Sequence, residues 1–310
     1  MLMNNYLDKT FTFPAPAKLN LFLHVVGQRA DGYHDLETLF QFLDYCDTID
    51  IIATMQNNIE LLTPINGVNY EDNLIVKAAL LLKDKAQGDN PNKQIPYGAK
   101  IAINKVLPMG GGLGGGSSNA ATVLIALNEL WQCHYSTAQL ATIGLTLGAD
   151  IPIFIHGFAA YAQGVGEKLT PVEPDECWYL ISKPDVSIST ASVFSSTDLP
   201  RNTVKFDRDD FTQFYCDIDL FNEQIYHNDC QTMVIKHYDE VANLLAWLVE
   251  CAPSRMTGTG ACVFSRFESE KEARVIQDKL PKGVESFVAH GLNTSPLVSA
   301  VENLDKQRIK

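Results

Sequence analysis

Pro108-Met109-Gly110-Gly111-Gly112-Leu113-Gly114-Gly115-Gly116-Ser117-Ser118-Asn119 places six glycines in seven positions, a run that is costly to order unless the backbone has to come close to something. Upstream, Ala99, Ile101 and Ile103 alternate with Lys100, Ala102 and Asn104, the period of two of a strand. Downstream, Ala120, Val123, Leu124, Leu127 and Trp131 recur on one helical face. A strand therefore feeds a glycine loop that opens a helix. Backbone N–H groups and the positive end of the helix dipole converge there, which favours an anion such as phosphate. Ser117 and Ser118 read as N-caps of the helix and add hydroxyl donors.

Two familiar phosphate motifs do not account for the loop. The Walker pattern G-x-x-x-x-G-K-[ST] fails, because Gly116 stands in the lysine slot when Gly115 is the second glycine. Gly110, Gly112 and Gly115 satisfy G-x-G-x-x-G, but a run this rich in glycine matches that pattern by chance. A dinucleotide site also needs an acid at the end of a second strand, and the next acid, Glu129, lies on the helix itself.

Working outward, 310 residues suggest about two domains and a core that folds without staples. Lys and Arg total 24 against 37 Asp and Glu, a net charge of −13 that repels nucleic acid and anionic membranes. Seven cysteines, scattered and never in a Cys-x-x-Cys pair, read as reduced thiols. Met1 to Asp8 lack the basic and apolar regions of a secretory signal, and no apolar window is long enough to span a membrane, so a cytoplasmic protein is expected.

Leu19, Leu21 and Leu23 alternate with Asn20, Phe22 and His24 as in a strand with one core face, and Thr48 to Ala53 reads as another strand. Asp72 and Asn73 precede an apolar helical run from Leu74 to Leu82. Pro171 to Glu176 reads as a linker, with a domain boundary near residue 172. Beyond it, Trp178 to Ile181, Ala261 to Phe264 and Val284 to Val288 read as strands. The last two flank a helix with the capping box Ser269-x-x-Glu272, the pattern of a split βαβ layer. The polar, acidic stretch from Arg201 to Asp229 receives no assignment.

Taken singly, the chemical residues have bland readings. Asp150, in Leu147-Gly148-Ala149-Asp150-Ile151-Pro152, is a turn or cap aspartate. Lys18 is a solvated lysine at a strand end. Gly32-Tyr33-His34 is a turn with a loop anchor.

Three segments together resemble the GHMP kinases, the group that acts on galactose, homoserine, mevalonate and phosphomevalonate. Pro16-Ala17-Lys18-Leu19-Asn20-Leu21 is similar to the first motif of that family, the glycine loop to the second, and Thr257-Gly258-Thr259-Gly260-Ala261-Cys262 to the third, in the family's order. Within the group, Lys18 to Leu23, Gly32-Tyr33-His34 and Ser117-Ser118-Asn119-Ala120-Ala121 resemble the branch that takes a cytidylyl-linked methylerythritol in isoprenoid precursor synthesis. The resemblance runs from residue 13 to about 195 and again from 251 to 297.

The resemblance implies an α+β, two-domain fold. A ribosomal S5 domain 2-like layer would occupy residues 1–172 and a ferredoxin-like split βαβ domain residues 173–310, with the site in the cleft between them. It implies ATP-dependent phosphoryl transfer to a tertiary alcohol, the 2-hydroxyl; a monomer or weak homodimer is expected. Mg²⁺ would arrive with the nucleotide, and no structural metal is expected. ATP would lie on the loop from Pro108 to Ser118, with Asn73 facing the adenine, although a helix cap reads equally well there. The aspartate matching Asp150 takes the hydroxyl proton, and the lysine matching Lys18 pairs with it and polarises the oxygen. Asn20 belongs beside the substrate. Tyr33 would stack on cytosine, His34 would bond its pairing edge, and Phe194 would form the opposite wall, with Thr190 nearby. Ala191 stands where the family carries a proline. A different GHMP kinase, a dinucleotide oxidoreductase and a catalytically silent nucleotide-binding protein are the competing readings.

Overall fold

The structure is a computed structural model and describes residues 6–89, 97–206, 220, 222 and 224–308. Part of the unassigned acidic stretch, and the first residues of the chain, lie outside the described residues. The framework is a long antiparallel ribbon of β1 (Thr10–Gln28) and β2 (His34–Thr54). The expected single core face of β1 is not what forms. Ala15 to Val25 are buried on both faces, because the strand is sandwiched between separate apolar clusters. Register shifts between Pro16 and Lys18, Asn20 and Leu23, and Val25 and Gly27 break its alternation and re-aim side chains, as bulges near active sites do.

The far edge of β2 is shared by three partners. β3 (Ile59–Leu61) runs parallel to β4 (Gly98–Asn104), and β4 pairs with β2 over residues 48–54. Between them in sequence, α1 (Leu74–Asp89) begins where the Asn73 side chain accepts the Ile75 N–H at 2.9 Å, so Asn73 does cap it. The predicted cap of the next helix differs. α2 (Gly115–Leu130) starts at Gly114, whose φ of +71° is left-handed, and Ser117 and Ser118 sit inside the first turn. A Cβ at Gly114 would lie 2.8 Å from the Phe154 ring, so only glycine can begin the helix there and the serines are displaced from the cap.

α3 (Thr137–Leu145), closed by a Ser136/Gln139 capping box, and α4 (Ile151–His156) complete the first helical layer. β5 (Ala160–Gly164) then pairs with β2 over residues 36–40 and with β6 (Lys168–Pro171). The expected boundary near residue 172 falls in the connection to β7 (Trp178–Lys183). After it come α5 (Thr190–Ser195), α6 (Asp229–His237), α7 (Asp239–Val249), β8 (Ser254–Met256) and β9 (Val263–Phe267). α8 (Glu270–Gln277) follows, with its first turn accepted by the Ser269 hydroxyl, and leads into β10 (Glu285–Leu292).

β9 and β10 both run antiparallel to β7, which lies between them, so β9-α8-β10 is the expected split βαβ unit. β10 also pairs with β2 at residues 42–43, which makes one ten-stranded sheet across both halves. α9 (Pro296–Arg308) returns to the first half, where Leu297 and Leu304 join a core built around Phe13, Ile49, Ile101, Leu124 and Trp131. No disulfide forms among the described residues, and burial pushes the Cys230 and Cys262 thiols up to about 12.

Candidate active site

Lys18 follows the first bulge of β1 and is 2% exposed, the opposite of a solvated strand end. Its Nζ donates to Asn20 Oδ1 at 2.5 Å and to Gly112 O at 2.9 Å, and lies 3.4 Å from Asp150 Oδ2. The Phe40 ring is 5.5 Å away, within cation–π range. Asp150 stands at the start of α4 but makes no side-chain cap bond, so the local reading of it gives way to the pair with Lys18. Asn20 is locked from two sides: its N–H donates to Thr257 Oγ1 at 2.9 Å, and its Nδ2 to Thr38 Oγ1 at 2.8 Å.

The glycine loop is gripped by its carbonyls. Ala261 N–H donates to Gly110 O at 3.2 Å, Cys262 N–H to Gly111 O at 3.2 Å, Lys18 Nζ to Gly112 O, and Lys18 N–H to Leu113 O at 3.0 Å. With the carbonyls turned to protein donors, the loop N–H groups are left for a ligand, the polarity an anion needs. The glycines are also dictated by packing. Gly112 has φ +75°, and a Cβ on it would lie 2.2 Å from Thr257 O. The first and third motifs thus shape the second.

Sequence reading missed Lys105. It lies ahead of the loop with its Nζ 2.5 Å from Asp47 Oδ2, and it would approach a Cβ on Gly115 to 3.0 Å. Asp47 is fully buried and also accepts from Val106 N–H, Leu107 N–H and Asn119 Nδ2 at 2.8 to 2.9 Å, which ties the strand, the loop entry and α2 together. A lysine three residues before the motif proline was the available signal. Gly258, Thr259 and Gly260 reach the cavity wall as well; the third motif was legible, but its place in the site was not.

At the other end of the cavity, Tyr33 is 63% exposed and His34 is buried at the start of β2. Sequence reading set Phe194 across a base from Tyr33. Here its ring stacks on His34, with centroids 5.1 Å apart and planes 29° from parallel. Thr190 and Thr259 hydroxyls meet at 3.0 Å, joining α5 to the third motif. Burial, and then the neighbouring Arg201 cation, lower the His34 pKa below its usual value.

One cavity of about 930 Å³ unites these groups. It is lined by Lys18, Asn20, Tyr33, His34, Asn73, Asp150, Thr190 and Phe194, and by Pro108 to Ser117. Ser118 does not line it; its hydroxyl is buried without a partner on the inner side of α2. Asn73 serves in two ways, since its oxygen caps α1 while its Nδ2 is buried without a partner in a residue of the cavity wall.

A phosphate-shaped loop, a lysine–aspartate pair beside it and a two-layer fold with a split βαβ unit define a small-molecule kinase. The family description "GHMP kinases N terminal domain" matches residues 73–158, and "GHMP kinases C terminal" matches residues 213–286. The chain is 62% identical over 301 residues to the 4-diphosphocytidyl-2-C-methyl-D-erythritol kinase of Colwellia psychrerythraea, covering 97% of this chain and 96% of that protein. The chain belongs to the GHMP kinases. Among solved structures it is similar to a crystal structure of 4-(cytidine 5'-diphospho)-2C-methyl-D-erythritol kinase, with a TM-score of 0.75 and 27% identity over 91% of this chain and 99% of that one. Its fold also matches homoserine kinase from Cytophaga hutchinsonii, with a TM-score of 0.66 and 15% identity over 93% of this chain and 96% of that one.

Proposed function

We propose that this chain transfers the γ-phosphoryl group of ATP to the 2-hydroxyl of 4-diphosphocytidyl-2-C-methyl-D-erythritol, giving the 2-phosphate and ADP, in the methylerythritol phosphate route to isoprenoid precursors. The observation that carries this reading is the single cavity that joins the glycine loop, the Lys18–Asp150 pair and an aromatic end formed by Tyr33, His34 and Phe194. The near full-length likeness to a kinase of that name supports the choice of alcohol. No helix among the described residues is long and apolar enough to cross a membrane.

ATP would enter with Mg²⁺, which would offset charge on its phosphates. Its phosphates take the free N–H groups of the loop and the dipole of α2. The bond from the γ-phosphorus to the bridging oxygen breaks as the bond to the 2-hydroxyl oxygen forms, and the hydroxyl proton passes to the Asp150 carboxylate. Of the three contacts of Lys18 Nζ, the one to Asp150 at 3.4 Å is the loosest, so that is where the substrate oxygen comes to share the ammonium. Such a loose transition state asks mainly for positioning and charge stabilisation. Asn20 and Gly112 O hold the lysine for that role.

The test is ADP release with Mg-ATP and the cytidylyl alcohol, run beside mevalonate, homoserine and galactose. Turnover with the cytidylyl alcohol alone is expected, and turnover with another of the four in its place overturns the assignment.

A further inference from the structure

Arg201 lies in the polar stretch that sequence reading left unassigned, yet all three of its guanidinium nitrogens are engaged. Nη2 donates to Phe194 O at 3.0 Å and to Ser196 O at 2.7 Å, and Nη1 to Leu199 O at 2.9 Å. Nε donates to His34 Nε2 at 3.0 Å. One side chain therefore grips the end of α5, which carries Phe194, and the imidazole at the start of β2.

A guanidinium has only donors and keeps its proton at any ordinary pH. The His34 nitrogen facing it must present a lone pair, so the proton of the neutral ring sits on Nδ1. A doubly protonated ring would set an N–H against an N–H and one cation against another. His34 Nδ1 has no protein partner among the described residues, in a ring that lines the cavity. We propose that Arg201 is a positioning residue that holds His34 as an Nδ1–H donor and clamps it to Phe194, so that the pocket reads an acceptor on the edge of a pyrimidine base. Cytosine offers such acceptors at N3 and O2, whereas uracil carries a donor at N3.

This proposal rests on the cytidylyl reading of the aromatic end, and two measurements separate them. The first needs no substrate. Nitrogen-detected NMR of ¹⁵N-histidine-labelled protein at neutral pH is expected to show the His34 ring neutral with its proton on Nδ1, and to lose that signature in Arg201→Met. A wild-type ring protonated on Nε2, or a tautomer unchanged in Arg201→Met, overturns the proposal without reference to activity.

The second is kinetic. Arg201→Met is expected to raise KM for the cytidylyl alcohol about 10-fold, with kcat within about threefold and KM for ATP unchanged. Arg201→Lys, which keeps one donor for the ring, should restore the Nδ1–H signature. Unaltered KM in Arg201→Met overturns the positioning role. An Nδ1–H ring together with equal KM for cytidylyl and uridylyl alcohols leaves the clamp in place and overturns the base reading alone.

Discussion

At the glycine-loop end of the cavity, where we propose that phosphates lie, the groups on offer are main-chain, whereas at the aromatic end, proposed for the base, they are side chains from three separated segments. Gly110 to Leu113 are held by four donors on their carbonyls, and Gly112 and Gly114 have no room for a side chain beside Thr257 and Phe154. Tyr33, His34, Phe194 and Arg201 come from a hairpin turn, a six-residue helix and the chain that follows it. The first arrangement is rigid because packing over-determines it, and every nucleoside triphosphate offers it the same phosphates. The second can be re-specified residue by residue. A shared fold can in this way carry different sites.

The comparison breaks most sharply at the seam between the two ends. Asp150→Asn should lower kcat about 100-fold or more with KM for ATP within about twofold. Lys18→Ala should match that loss and also raise KM for ATP severalfold, because Lys18 tethers Gly112 O. Steady-state kinetics on the pair decides it, and equal KM values would show that the tether does not shape the loop. Gly112→Ala forces a Cβ against Thr257 O at a left-handed φ. It should raise KM for ATP by about 30-fold, roughly 2 kcal/mol, and leave cytidine nucleotide affinity intact by calorimetry.

Acid sensitivity of folding should lie outside both ends, at His24. His24, on β1 among Phe22, Phe206 and His227, has its pKa lowered from 6.5 to about 4, by burial first and then by His227. The folded ring stays neutral while the unfolded ring protonates below 6.5. The stability this represents is therefore complete above that pH and is lost as pH falls toward about 4. By pH 5 the loss is about 2 kcal/mol, so urea unfolding of His24→Phe should weaken that much less than wild type between pH 7.5 and 5. An equal acid loss in both proteins would move the sensitivity elsewhere. Smallest is His34→Ala: KM for the cytidylyl alcohol should rise about 10-fold, about 1.4 kcal/mol, with KM for ATP unchanged, read from initial rates.

The amino-acid sequence alone determined the strand, glycine loop and helix at the loop end of the cavity, since six glycines before an apolar helical stripe admit few other readings. It offered Asn73 as a cap of α1, beside a nucleotide role, and it determined the capping of α8 by Ser269 and the β9-α8-β10 unit, all of which depend on neighbours close in the chain. It put the start of α2 in the wrong place, because serine propensity is local while the clash of a Cβ with Phe154 is not. The pairing of Lys18 with Asp150 followed from the family resemblance and not from local pattern; only the tertiary structure decided that β1 would be buried on both faces, that Lys18 would lose its solvent, and that Asp150 would make no cap bond. Asp47 with Lys105 and Arg201 with His34 lie 58 and 167 positions apart. Polar pairs at such separations leave no periodicity or spacing to read, and they form because the sheet brings their strands and loops to one wall.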